Sequence, residues 1–235
     1  MKKYQYLFFD VDDTLLDFRH TEKRALERLF EQENIVLTDD IKGDYHRFNK
    51  GLWHAHERGE IGKEELLNTR FTEFFRLHGK QVDGLTMERS YRNFLSEGHE
   101  QLDGALSLIQ QLSTQYDLFI MTNGVAQTQN RRLRDSGLFP YFKNIFISEE
   151  TGFHKPMKAY FDYCFQRIDQ FNCGKALIIG DSLVADIKGG LAAGMDACWM
   201  NVAKVANDTD ITPTYEINKL VELLPILERR EFIDS

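Results

Sequence analysis

Cysteine is scarce. Cys164, Cys173 and Cys198 are an odd set in 235 residues, without CxxC spacing, so no disulfide framework is indicated and reduced thiols are expected. Long hydrophobic runs are missing too: no stretch approaches the ~20 apolar residues of a membrane span. The apolar start after Met1-Lys2-Lys3 is broken by Asp10, too early for a secretory leader, so a cytoplasmic protein without a membrane partner is expected. Lys and Arg form no cluster and the formal net charge is −8, which argues against nucleic acid, a partner that needs concentrated positive charge. A small anion stays open, because local donors override the global sign. Internal repeats and low-complexity segments are also absent. What is present is 42% hydrophobic residues, enough for a substantial core in one large domain or a domain with an insertion.

Short, nearly continuous apolar runs recur at Tyr6–Phe9, Leu118–Met121, Asn144–Ile147, Ala176–Ile179 and Ala197–Met200. Such runs suit strands buried on both faces in a parallel sheet. Helical patterns lie between them. Ala105, Leu108, Ile109 and Leu112 follow the i, i+3, i+4, i+7 spacing, and Leu133 among Arg131, Arg132 and Arg134 marks a helix ending near Gly137. Pro156 reads as the opening of another helix, and Leu183 to Ala193 as one more. The alternation predicts an α/β fold with a doubly wound, Rossmann-like parallel sheet. From about Asp17 to Glu97 no strand is apparent; instead, charged amphipathic patterns cover Thr21–Glu33, Asp39–Arg58, Lys63–His78 and Thr86–Leu95. The expected organisation is a core of residues 1–16 and 98–235 with a helical cap, 17–97, inserted after the first strand.

Ligands of a parallel sheet gather at the carboxyl ends of its strands. Asp10, Asp12, Asp13 and Thr14 follow the first run, and Thr122-Asn123-Gly124 the second. His154-Lys155-Pro156 comes soon after the third, and Gly180-Asp181-Ser182 after the fourth, with Asp186 a helical turn further on. Each alone is an ordinary turn or cap; together they bring acids, a cation and small donors to one crevice. Carboxylates converging without His or Cys favour a hard, oxygen-ligated ion, Mg²⁺ above all, whose charge offsets the repulsion among Asp10, Asp12 and Asp181. Lys155, Thr122 and Asn123 suit phosphate oxygens, and a carboxylate can attack phosphorus to give an aspartyl phosphate.

The D-x-D-x-T string, Thr122-Asn123, Lys155-Pro156 and the G-D-S-x-x-x-D string resemble, in this order, the motifs of the haloacid dehalogenase-like (HAD) superfamily, and the helical insertion is similar to its α-helical caps. The resemblance implies that Asp10 is the nucleophile and Asp12 the acid that protonates the leaving oxygen, then the base that activates water. It implies that Thr122 and Asn123 bind the phosphate and that Lys155 stabilises nucleophile and transferring phosphoryl. Mg²⁺ would be held by Asp10, the main-chain carbonyl of Asp12, and Asp181, with Asp186 orienting Lys155 or a metal-bound water. Asp13 would only cap or shape the loop.

Asp12 favours a phosphatase over a dehalogenase, because halide departs without a proton whereas an ester oxygen needs one. A phosphonate hydrolase would require a cap lysine, for which Lys50 and Lys63 are candidates by location only; a phosphomutase shares the same core motifs. A signalling receiver would carry its Asp at the end of the third strand, where Ser148-Glu149-Glu150 stands instead. FFDVDDTLLDF, the Thr21-Glu22 helix, TNG and SEETGFHKP further resemble the YjjG/YfnB-type pyrimidine 5′-nucleotidase branch of the superfamily. That implies hydrolysis of UMP, dUMP or dTMP, with a sugar phosphate or other small phosphate ester as the alternative, in a monomer or homodimer. His154 departs from the small or hydrophobic residue usual before the lysine. Specificity would come from the cap, where Trp53, His54, His56 and Arg58 precede the Gly59–Gly62 break, and where Arg19, beside Phe18 at the hinge, would reach the leaving group.

Overall fold

The apolar runs become strands because both of their faces are covered. In the computed structural model, which describes residues 3–228, six strands form one sheet among those residues. They are β1 (Tyr6–Phe9), β2 (Asp117–Thr122), β3 (Asn144–Ile147), β4 (Ala176–Gly180), β5 (Asp196–Met200) and β6 (Tyr215–Ile217). Their spatial order is β3-β2-β1-β4-β5-β6, with every neighbouring pair parallel. Leu7, Phe9, Leu118, Ile120, Leu177 and Ile179 point to one face and build one core cluster. Tyr6, Phe8, Phe119, Met121, Ile178 and Trp199 point to the other and build a second. Each such buried side chain contributes about 1.5–3 kcal/mol, so alternation along continuous apolar strands supplies both layers. β6 was not expected: with Tyr215 half-buried, Glu216 exposed and only Ile217 buried, this edge strand is too short to carry a period.

The chain divides into two compact units, one built from the segments up to Phe18 and from His99 onward, the other from Arg19–Gly98. Four helices account for the second: α1 (Phe18–Gln32), α2 (Asp39–Glu57), α3 (Lys63–Leu77) and α4 (Gly84–Glu97). Thr38 and Asp83 cap α2 and α4 by accepting from Ile41 N and Thr86 N, at 3.3 and 3.1 Å. Leu29, Phe30, Tyr45, Phe71, Phe74 and Tyr91 fill its interior. Within it lies a buried polar chain. Arg70 chelates Glu88 at 2.6 and 2.9 Å and donates to Asn49, which donates to Glu22 at 2.8 Å.

In the sheet unit, α5 (Ala105–Ser113) precedes β2 and α6 (Ala126–Asp135) follows it. The turn α7 (Ser148–Thr151) and α8 (Lys158–Phe165) lie between β3 and β4. The expected helix opening at Pro156 is displaced. Met157 N donates to His154 O at 2.8 Å, closing a turn over 154–157, so α8 starts only at Lys158. The helix expected over Leu183–Ala193 begins as a π-helical segment, Leu183–Lys188, before α9 (Gly189–Ala192). There Ile187 N donates to Ser182 O, five residues back, at 3.2 Å. The connections from β1 run first to β2 and β3, then return to β4, so the order reverses at β1. The carboxyl ends of β1, β2 and β4 therefore flank the crevice where such sheets bind ligands.

Candidate active site

Three strand ends, those of β1, β2 and β4, and one loop assemble the polar centre. Asp10 N donates to Ile179 O at 2.9 Å, keeping Asp10 at the end of β1. Leu15 and Leu16 N then both donate to Val11 O at 2.9 Å, so the chain curls over and leaves Asp12 at the rim. Asp13 takes a positive φ of 51° and its carboxylate accepts from Phe18 N at 3.1 Å, capping the start of α1.

Lys155 is the hub. Its ammonium donates to Asp10 Oδ1 at 2.7 Å, Met121 O at 2.7 Å and Asp186 Oδ1 at 2.6 Å, and the residue is 1% exposed. Burial opposes its charge, but Asp10 and Asp186 outweigh burial and hold the ammonium above the usual lysine range. Asp10 is pushed up to about 7, first by burial, then by the charges of Asp186 and Asp12, with Lys155 opposing. Without a further positive charge, this carboxylate is therefore not fully ionised near neutrality.

The donor set answers that need. Asp10, Asp181 and Asp186 each offer an oxygen, all within 4.8 Å of one another. Three carboxylates at that spacing, without His or Cys, fit a hard divalent cation. Gly180 permits the arrangement: a Cβ there would lie 2.2 Å from Asp186 Cγ. Asp186 Oδ2 in turn accepts from Ser182 N at 3.1 Å, and Ser182 Oγ caps the π-helical segment through Ala185 N at 3.0 Å. Asp186 thus touches Lys155, as expected, and also lies within ligand reach of the other two acids.

At the end of β2, Thr122 Oγ1 accepts from Gly124 N at 3.1 Å. Asn123, expected among the phosphate contacts, uses its side chain otherwise. Its Nδ2 donates to Lys155 O and its Oδ1 accepts from Lys155 N, both at 2.9 Å, so it holds the lysine loop in place. His154 Nδ1 also lies 2.9 Å from Lys155 O, placing this ring against the main chain.

Two residues of the site were missed in the sequence. Gln129 was not singled out and Arg132 served only to mark a helix, yet each is 1% exposed. Gln129 Nε2 donates to Asp12 Oδ2 at 2.8 Å, and Arg132 Nη1 pairs with Asp12 Oδ1. The available signal was their i, i+3 spacing directly after Thr122-Asn123-Gly124, which puts both on one face.

In the helical unit, Trp53 is half-buried with its ring edge-on to His56, which is buried and has Nδ1 3.0 Å from Ile61 O across the Gly59–Gly62 break. His54 and Arg58 are exposed, and Arg58 chelates Glu60 at 2.6 and 2.8 Å. Arg19 and Lys50 are exposed and Lys63 is half-buried.

Comparison with known proteins agrees with this geometry. The profile of the haloacid dehalogenase-like hydrolase family matches residues 4–194. YfnB of Bacillus subtilis is 56% identical, over 97% of both chains. Its crystal structure, bound to magnesium, superposes with a TM-score of 0.93 over 97% of this chain and 100% of that one. The pyrimidine 5′-nucleotidase PynA of Streptococcus pneumoniae is 40% identical over 96% of each chain. The pyrimidine 5′-nucleotidase YjjG of Escherichia coli is 33% identical over 96% of this chain and 98% of its own.

Proposed function

Because the chain belongs to the haloacid dehalogenase-like hydrolases, and is a phosphatase of that family, we propose that it hydrolyses the 5′-phosphate of pyrimidine nucleoside monophosphates through an aspartyl phosphate. The observation that carries the phosphoryl chemistry is the Asp10–Lys155–Asp186 cluster with a second carboxylate, Asp12, two residues beyond Asp10. The substrate class rests on full-length similarity to two pyrimidine 5′-nucleotidases. We read the helical unit as the cap that selects the nucleoside.

Lys155 holds one oxygen of Asp10, which leaves the other to attack phosphorus. As that O–P bond forms, the bond to the ester oxygen breaks, and protonated Asp12 gives its proton to the departing alkoxide. Asp12, now ionised, takes a proton from water, whose oxygen attacks the same phosphorus. The Asp10 O–P bond breaks, inorganic phosphate leaves, and Asp10 is restored. Thr122 Oγ1, which accepts from Gly124 N and Gln129 Nε2, donates its own hydrogen to a phosphoryl oxygen. The three N–H groups of Lys155 are held by Asp10, Asp186 and Met121 O, and its charge offsets the phosphoryl charge. A Mg²⁺ held by Asp10, Asp181 and the main-chain carbonyl of Asp12 would supply the charge that keeps Asp10 ionised and offsets the phosphoryl oxygens.

A phosphate-release screen with Mg²⁺ over nucleoside monophosphates and sugar phosphates tests this reading. UMP, dUMP and dTMP are expected to lead; preferential turnover of a sugar phosphate would overturn the substrate class.

A further inference from the structure

A buried arginine requires a counter-charge, and Arg132 pairs with the carboxylate of Asp12. Gln129 engages the other oxygen of the same carboxylate at 2.8 Å. Arg132 Nη1 also donates to Gln129 Oε1 at 3.0 Å, which turns the amide so that its NH₂ end faces Asp12. That same Nε2 donates to Thr122 Oγ1 at 3.0 Å. One side chain therefore ties the acid on the β1 loop to the threonine at the end of β2. Gly124 leaves room for the tie, since a Cβ there would come within 2.5 Å of Gln129 Nε2. The Phe18 ring lies 5.7 Å from the guanidinium carbon and covers it on another side.

We propose that Gln129 and Arg132 are positioning residues for Asp12, fixing where its carboxylate stands relative to Asp10 and Thr122. The assignment deepens the phosphatase reading and rests on it. A carboxylate on a loop rotates freely unless both oxygens are held; here two donors from one helix face hold them. Proton transfer demands hydrogen-bond reach to the leaving oxygen, and a displacement of about 1 Å costs on the order of 10²-fold. The effect of losing the clamp should thus follow how much the leaving oxygen needs a proton. An alkyl phosphate such as UMP needs one; p-nitrophenyl phosphate expels a stabilised anion and does not.

The test is kcat/KM for UMP and for p-nitrophenyl phosphate in the wild type, Arg132→Lys and Gln129→Leu, the last keeping the buried Arg132–Asp12 pair should Arg132→Lys fail to fold. Arg132→Lys is expected to lower the UMP value by about 10²-fold and to leave the p-nitrophenyl phosphate value within about threefold, with Gln129→Leu shifting the ratio the same way. In an Asp12→Asn background the same substitutions should cost little more, because they act through Asp12. Equal losses on both esters, or full additivity with Asp12→Asn, would mark a merely structural pair and overturn the assignment. A wild type that hydrolyses neither ester would overturn the phosphatase reading itself, and this assignment with it.

Discussion

Asp186 Oδ1 stands 2.6 Å from the Lys155 ammonium, with Lys155 and Asp186 each 1% exposed. The pair is what keeps a buried lysine charged beside Asp10. Replacing Asp186 by Asn preserves shape but removes half of that counter-charge and one oxygen of the acidic cluster. kcat should fall about 10- to 100-fold, the range for partners that orient ligating groups, and more Mg²⁺ should be needed for half-maximal activity. Unchanged Mg²⁺ dependence would show that Asp186 acts on Lys155 alone.

Asp10→Asn should abolish phosphate release, because the amide cannot form the acyl phosphate. Wild type quenched in acid during turnover should carry one added phosphoryl group on the peptide containing Asp10. A phosphoryl group found on another residue would move the nucleophile.

The raised proton affinity of Asp10 sets a sign for pH. Its folded value, about 7, lies above the ordinary value of 3.8, so the folded protein holds this proton more tightly than the unfolded chain. Its contribution to stability is complete below about pH 4 and lost as pH rises through about 7. Mg²⁺ requires the ionised form and so competes with the proton. The rise in melting temperature on adding Mg²⁺ to metal-free protein should be small near about pH 5 and larger near about pH 8. A rise independent of pH would place the ion elsewhere.

Arg70 and Glu88 form the buried charge pair of the helical unit. Arg70→Met strips Glu88 of its buried partner and leaves it the half-buried Arg92, 3.2 Å away. The protein should therefore be destabilised by about 3 kcal/mol in urea titrations, the low end for a broken buried pair. Arg70→Met with Glu88→Leu should lose less than the single change, since the buried Glu88 carboxylate is removed as well and Arg92 reaches solvent. A neutral single variant would mean that Arg92 by itself compensates Glu88.

The doubly wound sheet was legible because its causes are local. Nearly continuous apolar runs of four residues have few alternatives to strands buried on both faces; Asp10, Thr122 and Asp181 follow such runs closely in the chain, and Lys155 comes one short loop after the third. β6 escaped notice because three residues on a sheet edge carry no period, and the turn over 154–157 because a lysine-proline step alone reads as a helix entrance.

Sequence alone determined which chemical groups stand at the strand ends, since a strand delivers its next residues to its own carboxyl edge. Only the tertiary structure decided how those groups are shared among partners. Arg132 and its neighbours Arg131 and Arg134 are alike in sequence; Arg132 is buried because α6 turns that face toward an acid 120 residues earlier in the chain. Asn123 follows Thr122 in the motif, yet its amide holds the main chain of Lys155 rather than standing free beside it. Such pairings depend on distances across the fold, which adjacency in the chain does not encode.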